Sequence, residues 1–320
     1  MNKTDISVVI PIYNEAENIR ELYDRLTASI TPISPRYELI FIDDGSTDNS
    51  LNMLKDLRSK DKNIRILKFT RNFGQQSAVL AGFRHCKGEI IIQLDADLQN
   101  PPEEIPKLIQ KLNEGFDLVS GVRKKRQDSF LRKTCSSFLF FLVSKLMGKK
   151  IRLDISSFRV MKRSVIKKIN QCKDKSKFLS TLVSWLGVPS AQVEVDHYKR
   201  LHGKTKYSTG KLVQLALDII TGFSRFPLRM VTYLGFFGAT IGFLLMMFLL
   251  FQRYVRGIMY DGFTVLAALF SLFAGVQLLS IGILGEYIGR IYSQVQDLPD
   301  YVIEDRTEDQ PDFIINDILK

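Results

Sequence analysis

Cysteine and histidine are scarce in this chain of 320 residues, which contains three of each. The cysteines, Cys86, Cys135 and Cys172, are odd in number and have no C-x-x-C spacing, which argues against a disulfide framework. The histidines share no metal-ligand spacing with them, so a zinc site built from these residues is not expected. A chain of this length can instead build a hydrophobic core that needs no covalent cross-links.

Two glycine-rich nucleotide-binding motifs are also missing. After the first predicted strand the chain reads "PIYNEAEN" (11–18), where a dinucleotide-binding enzyme would have G-x-G-x-x-G. A G-x-x-x-x-G-K-[ST] phosphate-binding loop does not occur either. The N-terminal residues 1–15 lack the apolar core and cleavage site of a signal peptide, so we expect the first domain to stay in the cytoplasm.

Short apolar runs rich in β-branched residues alternate with segments that have helical spacing of apolar residues. The predicted strands are 6–11, 37–43, 64–69, 89–94 and 116–122. Strand and helix in alternation predict an α/β fold with a mostly parallel sheet, whose ligands lie at the carboxyl ends of the strands.

Two long apolar runs follow this pattern, at about 227–251 and 263–289. Each is long enough to cross a hydrocarbon core of about 30 Å, and a buried helical hairpin of a soluble domain is the alternative. We therefore predict a first domain over 1–225, two transmembrane helices within 226–290, and a cytoplasmic tail over 291–320. The acidic part of this tail, after Tyr301, is expected to be loosely ordered.

The net charge of +11 is concentrated between Arg123 and Lys150, where Asp128 is the one acid. This patch favours an anionic partner, which nucleic acid, an acidic membrane surface or a phosphate-bearing substrate would satisfy. The segment 129–150 has an apolar middle between basic ends and suits the membrane interface, as does 209–226. A core helix is the alternative for both segments.

Four aspartates fall where predicted strands end. Asp95 and Asp97 follow the run "IIIQL" and are spaced so that both side chains point the same way, while Asp43 and Asp44 follow the second strand. Two adjacent carboxylates repel each other unless a cation lies between them, and Mg²⁺ or Mn²⁺ held in this way completes its shell with water and substrate phosphates. An exposed Asp-x-Asp turn without function is the alternative.

Four motifs together carry a family resemblance: "VVIPIYNEAENI", "FIDDGSTDNS", "RNFGQQSAVLAGF" and "LDADLQNPPEEIP". They resemble the motif series of the inverting GT-A glycosyltransferases that act on polyprenyl phosphates. That group includes dolichyl-phosphate mannose synthases and bacterial enzymes that attach glucose or 4-deoxy-4-formamido-arabinose to undecaprenyl phosphate. The resemblance runs from about residue 5 to 300 and, within the group, is greatest to the formamido-arabinose transferases.

The resemblance implies roles for individual residues. The residues that would bind the nucleotide are Pro11, Tyr13, Glu15, Asp43 and Asp44. Asp97 and Asp95 would bind the metal and so take part in catalysis. Groups that receive the phosphates of the acceptor and donor would be Arg123, Arg132, Ser136, Arg200 and Lys206. Arginine suits such a role because its planar, permanently charged fork matches phosphate oxygens. A solvated basic face and membrane-surface anchoring are the alternatives for these cations.

The chain departs from the family pattern at one position. Many relatives read Gly-Asp-Phe-Arg where this chain has "SSFR" (156–159), so Ser157 replaces an aspartate that is a candidate base, and Asp154 lies nearby. An attacking phosphate is already ionised at neutral pH and needs no strong base. Asp154 is therefore a candidate catalytic residue, although the reaction does not require a base at this position.

The resulting hypothesis is a membrane-bound, multi-pass enzyme of the cytoplasmic (inner) membrane with its catalytic domain facing the cytoplasm. It would transfer sugar from a UDP-sugar to polyprenyl (undecaprenyl) phosphate for a cell-envelope glycan or lipid, using Mg²⁺ or Mn²⁺, as a homo-oligomer. A membrane-anchored nucleotide-sugar-binding scaffold without turnover is the alternative. Nucleic acid is not an expected partner, because the basic patch lacks spaced stacking aromatics.

Overall fold

A computed structural model describes residues 4–123, 155–172, 182, 186–198, 226–257, 262–296 and 298–306. The chain divides into two compact units, one built on the sheet and the other containing the two long C-terminal helices. Asp154, Arg132, Ser136, Arg200 and Lys206, as well as the segments 129–150 and 209–225, lie outside the described residues.

The first unit is an eight-stranded sheet with helices on both faces. The strands are β1 Ile6–Ile12, β2 Tyr37–Asp43, β3 Ile64–Phe69, β4 Ile90–Gln93, β5 Leu118–Arg123, β6 Ile155–Lys162, β7 Ser190–Val195 and β8 Ile303–Arg306. The helices are α1 Ala16–Ile30, α2 Ser50–Lys60, α3 Gln75–His85, α4 Ile105–Asn113, preceded by a 3₁₀ turn at Pro102–Glu104, and α5 Arg163–Gln171.

The strand order is β7-β5-β6-β4-β1-β2-β3-β8. Every pairing is parallel except those that β6 makes with β4 and β5 and that β8 makes with β3. The predicted α/β fold with a mostly parallel sheet is thus confirmed. Because β6 runs the other way, its first residues lie at the same edge of the sheet as the last residues of β4.

Side chains on the two faces of the sheet form two separate cores. Val8, Ile10 and Phe41 point to the face covered by α1, α2 and α4, whereas Val9 and Ile40 point to the face of α3 and α5. This strict alternation along β1 and β2, with both faces buried, explains why their sequences read as continuous apolar runs. Polar side chains lie beyond both cores, at the carboxyl ends of the parallel strands.

Two expectations about the chain end are corrected. The tail was predicted to be loosely ordered, but residues 303–306 form β8, and Thr70 N–H donates a hydrogen bond to the Val302 carbonyl at 3.1 Å. The sheet unit therefore includes C-terminal residues beyond the predicted boundary at 225. β8 pairs with β3, which would otherwise be an exposed edge strand. The polar sequence of β8 does not by itself indicate this pairing.

The second unit contains α6 Phe226–Arg256 and α7 Gly262–Val295. Within the described residues, one stretch is long and apolar enough to cross a membrane, Leu228–Arg256, with a mean hydropathy of 2.3. The second helix contains a shorter apolar stretch, Phe273–Gly289. A Cβ on Gly242 would lie 3.3 Å from the Phe273 ring, so the glycine lets the helices approach closely there.

Candidate active site

The loops after β1 and β2 are joined side by side at the carboxyl edge of the sheet. Asn14 adopts a left-handed backbone conformation (φ 55°), which asparagine tolerates better than most residues. Its backbone N–H donates to Ser46 Oγ at 3.1 Å, and its Oδ1 accepts the Thr47 N–H at 2.8 Å. Glu15 N–H donates to Ser50 Oγ at 3.0 Å. The motif "DDGSTDNS" is therefore held against the start of α1.

Asp43 occupies the end of β2 and is fully buried. Its Oδ1 accepts the backbone N–H of Ser46 at 3.2 Å, whereas its Oδ2 is buried and receives no hydrogen bond from the residues that the structure describes. Leaving a buried carboxylate oxygen without a donor costs about 1–3 kcal/mol or more. A ligand N–H or hydroxyl placed against this oxygen would remove that cost.

Asp44 holds the loop that leads into α3. Its two carboxylate oxygens accept the backbone N–H groups of Phe73 at 2.6 Å and Gly74 at 2.9 Å. Next to it, Gly45 has φ +69°, and a Cβ there would lie 2.6 Å from the backbone carbon of Arg71. Both residues are thus needed to bring residues 71–74 against the end of β2, and α3 begins directly afterwards at Gln75.

The remaining predicted nucleotide-binding residues lie at the same edge. Pro11 and Tyr13 are half-buried at the end of β1, where Pro11 pairs with Ile42. Glu15 is also half-buried, and its Oε2 accepts a hydrogen bond from Asn18 Nδ2 at 2.6 Å. The end of β1 and the buried Asp43 therefore lie side by side, because β1 and β2 are paired in the sheet.

Asp95 and Asp97 follow β4 and point to the face of the sheet that α3 covers. Leu94, Ala96 and Leu98 between and beside them are all buried, so the two aspartates point to the other side together. Leu98 has φ 57°, an uncommon conformation for a bulky residue, and this bends the chain directly after Asp97. Asp97 Oδ1 accepts the Gln99 N–H at 3.2 Å within that bend.

Two side chains from distant parts of the chain contact Asp95. Gln75 Nε2 donates to its Oδ1 at 2.7 Å, and Ser157 Oγ donates to its Oδ2. Burial raises the pKa of Asp95 to about 6; the Ser157 hydrogen bond opposes this increase and the charge of Asp97 adds to it. The charge of Asp97 thus disfavours ionisation of the neighbouring Asp95 carboxyl group.

Arg159 lies behind Ser157 on the same face of β6 and is 2% exposed. Burial lowers the pKa of its guanidinium to about 10, and the charge of Asp95 opposes that decrease. In the sheet Arg159 pairs with Gln93 on β4 and Ser120 on β5, both of which are buried. A row of polar side chains therefore crosses the sheet beneath the two aspartates, and sequence analysis did not identify it.

The aspartate pair fits a divalent cation that is shared with a ligand. Carboxylate oxygens are preferred ligands of Mg²⁺ and Mn²⁺, and one or two carboxylates suffice when phosphates complete the shell. Among the described residues no group of three or more His, Cys, Asp or Glu side chains is placed to hold a metal. An all-protein cage is therefore not formed by these residues, whereas a two-carboxylate site is compatible with Asp95 and Asp97.

Arg123 is the last residue of β5, which lies next in the sheet to the strand that carries Ser157.

Among the described residues, sequence analysis did not indicate that Gln75 and Arg159 lie near Asp95. Gln75 lies inside the motif "RNFGQQSAVLAGF", and Arg159 follows Ser157 at the one position that departs from the family pattern. This motif and this departure from the family pattern drew attention to the two segments. Neither of them indicates that Gln75 and Arg159 lie near Asp95.

The sequence of this chain is similar to those of known proteins. Residues 7–170 match the family described as Glycosyl transferase family 2. An undecaprenyl-phosphate 4-deoxy-4-formamido-L-arabinose transferase from Proteus mirabilis is 40% identical over 93% of both chains. Its namesake from Serratia proteamaculans is 40% identical over 96% of this chain and 95% of its own.

Among solved structures, glucosyl-3-phosphoglycerate synthase from Mycobacterium tuberculosis is 18% identical, with a TM-score of 0.48 over 69% of this chain and 77% of that chain. The assignment of the fold does not depend on this structural similarity. It rests on the observed sheet and on the family match, which includes every strand from β2 to β6 and most of β1. The chain accordingly belongs to glycosyl transferase family 2, among its polyprenyl-phosphate glycosyltransferases, and has the GT-A fold.

Proposed function

We propose that this glycosyltransferase moves 4-deoxy-4-formamido-L-arabinose from a UDP-linked donor to undecaprenyl phosphate, for use in a cell-envelope glycan or lipid. The observation that carries the proposal is the 40% identity, along 93% of both chains, with an enzyme named for this transfer. The motifs around Asp43 and Asp95 support a nucleotide donor. They bring to one sheet edge a buried carboxylate oxygen that has no donor among the described residues, together with two neighbouring carboxylates.

In the proposed reaction, a phosphate oxygen of the lipid attacks the anomeric carbon of the sugar. The bond from that carbon to the diphosphate oxygen breaks on the opposite side, so the configuration inverts and UDP leaves with the bonding electron pair. Asp43, with Pro11, Tyr13, Glu15 and Asp44 nearby, would bind the nucleoside. Asp97 and Asp95 would hold Mg²⁺ or Mn²⁺, which would stabilise the charge that develops on the leaving diphosphate.

Phosphate-binding cations complete the proposed site. Arg123, Arg132 and Ser136 would receive the acceptor phosphate, and Arg200 and Lys206 would close over the donor phosphates. An arginine fork binds phosphate oxygens in a bidentate manner, which orients the attacking oxygen as well as attracting it. Asp154 remains a candidate catalytic residue, although an ionised phosphate does not require a base.

The membrane arrangement is part of the same proposal. We infer two spans, α6 and α7, which at 31 and 34 residues would be about 46 and 51 Å long. The chain leaves the sheet unit after β7 and returns to it at β8, so an even number of crossings keeps both ends of the helix pair on one side. That side would be the cytoplasm, with 129–150 and 209–226 at the membrane interface.

A homo-oligomer is proposed for the same region. Gln277 is exposed on α7, and a polar side chain within a membrane is costly unless it faces protein. Burial of this side chain between copies of the chain would remove that cost. Light scattering of the purified protein in detergent would measure the number of copies, and a monomer would contradict this part.

The test of function is transfer of radiolabelled sugar from a panel of UDP-sugars to undecaprenyl phosphate by the full-length protein in detergent. We expect a lipid-linked product that requires Mn²⁺ or Mg²⁺ and is lost in Asp97→Ala. Asp56→Ala, which removes an exposed carboxylate of α2, should leave transfer unchanged. Binding of UDP-sugars with no transfer from any of them would favour the scaffold alternative.

A further inference from the structure

The carboxylate of Asp95 is held by side chains, whereas that of Asp97 is not. Each Asp95 oxygen accepts one side-chain hydrogen bond, from Gln75 and from Ser157. In the described part of the chain, the hydrogen bond to Asp97 comes from the backbone N–H of Gln99 and is longer, at 3.2 Å. The two aspartates of the motif are therefore supported in different ways.

We propose that Gln75 and Ser157 are positioning residues that orient the Asp95 carboxylate toward the divalent cation and the donor diphosphate. The inference rests on the proposed function, because it assigns these two residues to the metal site of that reaction. Asp97, which no side chain holds in the described residues, is then the carboxylate that adjusts as the donor binds and leaves.

The need for positioning follows from the repulsion between Asp95 and Asp97. Without restraint, the two carboxylates would rotate apart before a cation binds, and the cation would have to bring them back together. A carboxylate oxygen has two lone pairs, so one hydrogen bond on each oxygen of Asp95 still leaves one lone pair on each for a metal. Partners of this kind around metal ligands typically contribute a 10- to 100-fold difference in metal affinity or activity.

Both donors are themselves held by the fold. Gln75 begins α3, and the residue before it, Gly74, donates its backbone N–H to Asp44 at 2.9 Å. Ser157 belongs to β6, which pairs with β4 in antiparallel register through Arg159 and Gln93. Asp95 is two residues beyond Gln93, so sheet pairing brings Ser157 to it. The orientation of Asp95 is thus determined by two rigid elements.

This arrangement also explains the serine at position 157. An aspartate there would place a second carboxylate against Asp95, next to the charge of Asp97, and could donate a hydrogen bond only when protonated. A hydroxyl donates a hydrogen bond without adding charge. Ser157 is therefore a hydrogen-bond donor to Asp95, and it does not take over the role of a base from the aspartate found at this position in many relatives.

The experiment measures Mn²⁺ affinity by electron paramagnetic resonance in the full-length protein with saturating UDP, together with kcat and KM for the donor. Ser157→Ala and Gln75→Ala are each expected to weaken Mn²⁺ binding about 10-fold, and Ser157→Thr should stay within about 2-fold of the unmodified protein. We expect Ser157→Asp to weaken Mn²⁺ binding at least as much as Ser157→Ala. Gln75 is exposed, so its substitution leaves the core intact.

Ser120→Ala is the matched control, because Ser120 is a buried serine on the neighbouring strand whose Oγ makes no hydrogen bond within the described part of the chain. Its Mn²⁺ affinity should equal that of the unmodified protein. Normal Mn²⁺ affinity in both Ser157→Ala and Gln75→Ala, with active unmodified enzyme, would overturn the positioning role and leave the proposed function standing. Unmodified protein that neither binds Mn²⁺ with UDP nor transfers sugar would overturn both.

Discussion

The ring of Tyr301 stacks on the ring of Phe69, with centroids 5.0 Å apart and planes 9° apart. Phe69 ends β3, and Tyr301 immediately precedes the strand β8 that returns to this edge of the sheet. Arg84 of α3 adds an ion pair with Asp300 at 3.1 Å and lies over the Tyr301 ring. These contacts attach the C-terminal segment after α7 to the sheet.

Tyr301→Ala is therefore expected to destabilise the sheet unit by about 1–3 kcal/mol, because it removes a stacked aromatic pair and half-buried apolar area. The melting temperature of the purified protein measures this. Val302→Ala changes a 43% exposed neighbour and should shift the melting temperature little. Equal effects of the two substitutions would show that the stacking does not hold the segment.

Gly45→Ala should impair nucleotide binding as well as stability. The glycine has φ +69°, and an added Cβ would meet the Arg71 backbone at 2.6 Å, which displaces the loop that positions Gln75. Gly115→Ala provides the control, since it has φ +110° with nothing within 4 Å of an added Cβ. Both variants should melt earlier because of backbone strain. Only Gly45→Ala should lose UDP and Mn²⁺ affinity in titration calorimetry.

The raised pKa of Asp95 predicts a pH dependence in the metal-free protein. Its ordinary value is about 3.9, so between about pH 4 and pH 6 the folded protein holds this proton more tightly than the unfolded chain does. Stability contributed by Asp95 is thus greatest at the acid end and is lost as the pH rises through 6. Asp95→Asn should flatten this part of the curve of melting temperature against pH.

Metal binding should show the opposite trend, because the cation binds the ionised carboxylate. Mn²⁺ affinity of the unmodified protein should therefore rise with pH, most steeply near 6. Asp56→Ala, which alters an exposed aspartate of α2, is the control for both measurements. An unchanged pH dependence of stability in Asp95→Asn would mean that another group is responsible.

A buried ion pair at the opposite edge of the sheet is expected to govern stability without affecting the chemistry. Arg65 Nη1 lies 2.6 Å from Glu38 Oε2, and their side chains are 11% and 7% exposed. Glu38 also accepts hydrogen bonds from Ser7 Oγ and the Lys87 backbone. Glu38→Ala would leave Arg65 as a buried charge without this carboxylate and should cost about 3–5 kcal/mol.

Chemical denaturation measures that change, and Lys60→Ala is the comparison. Lys60 pairs with Asp56 at 2.7 Å, but both side chains are about 60% exposed, so its loss should cost less than about 1 kcal/mol. Folded Glu38→Ala protein should retain its Mn²⁺ affinity, because the pair lies at the amino ends of the strands. Loss of Mn²⁺ affinity in folded protein would show that the two edges are coupled.

Most of the sheet was predictable because its signals are local. The segments 37–43 and 64–69 were predicted with the observed bounds, and the strand predicted at 6–11 extends by one residue, to Ile12. Strands β6, β7 and β8 were not predicted. Ser157 and Arg159 put polar residues on β6, β7 alternates polar and apolar residues, and β8 is acidic, so each depends on pairing with a distant strand.

Local sequence by itself determined that Asp95 and Asp97 would emerge together from a buried strand, because residues two apart on an extended chain share a side. It also determined the family, since four ordered motifs are each continuous in the chain. Only the tertiary structure decided what surrounds Asp95. Gln75 and Ser157 lie far from Asp95 in sequence, and contacts over such distances depend on strand order and register, which no single segment encodes.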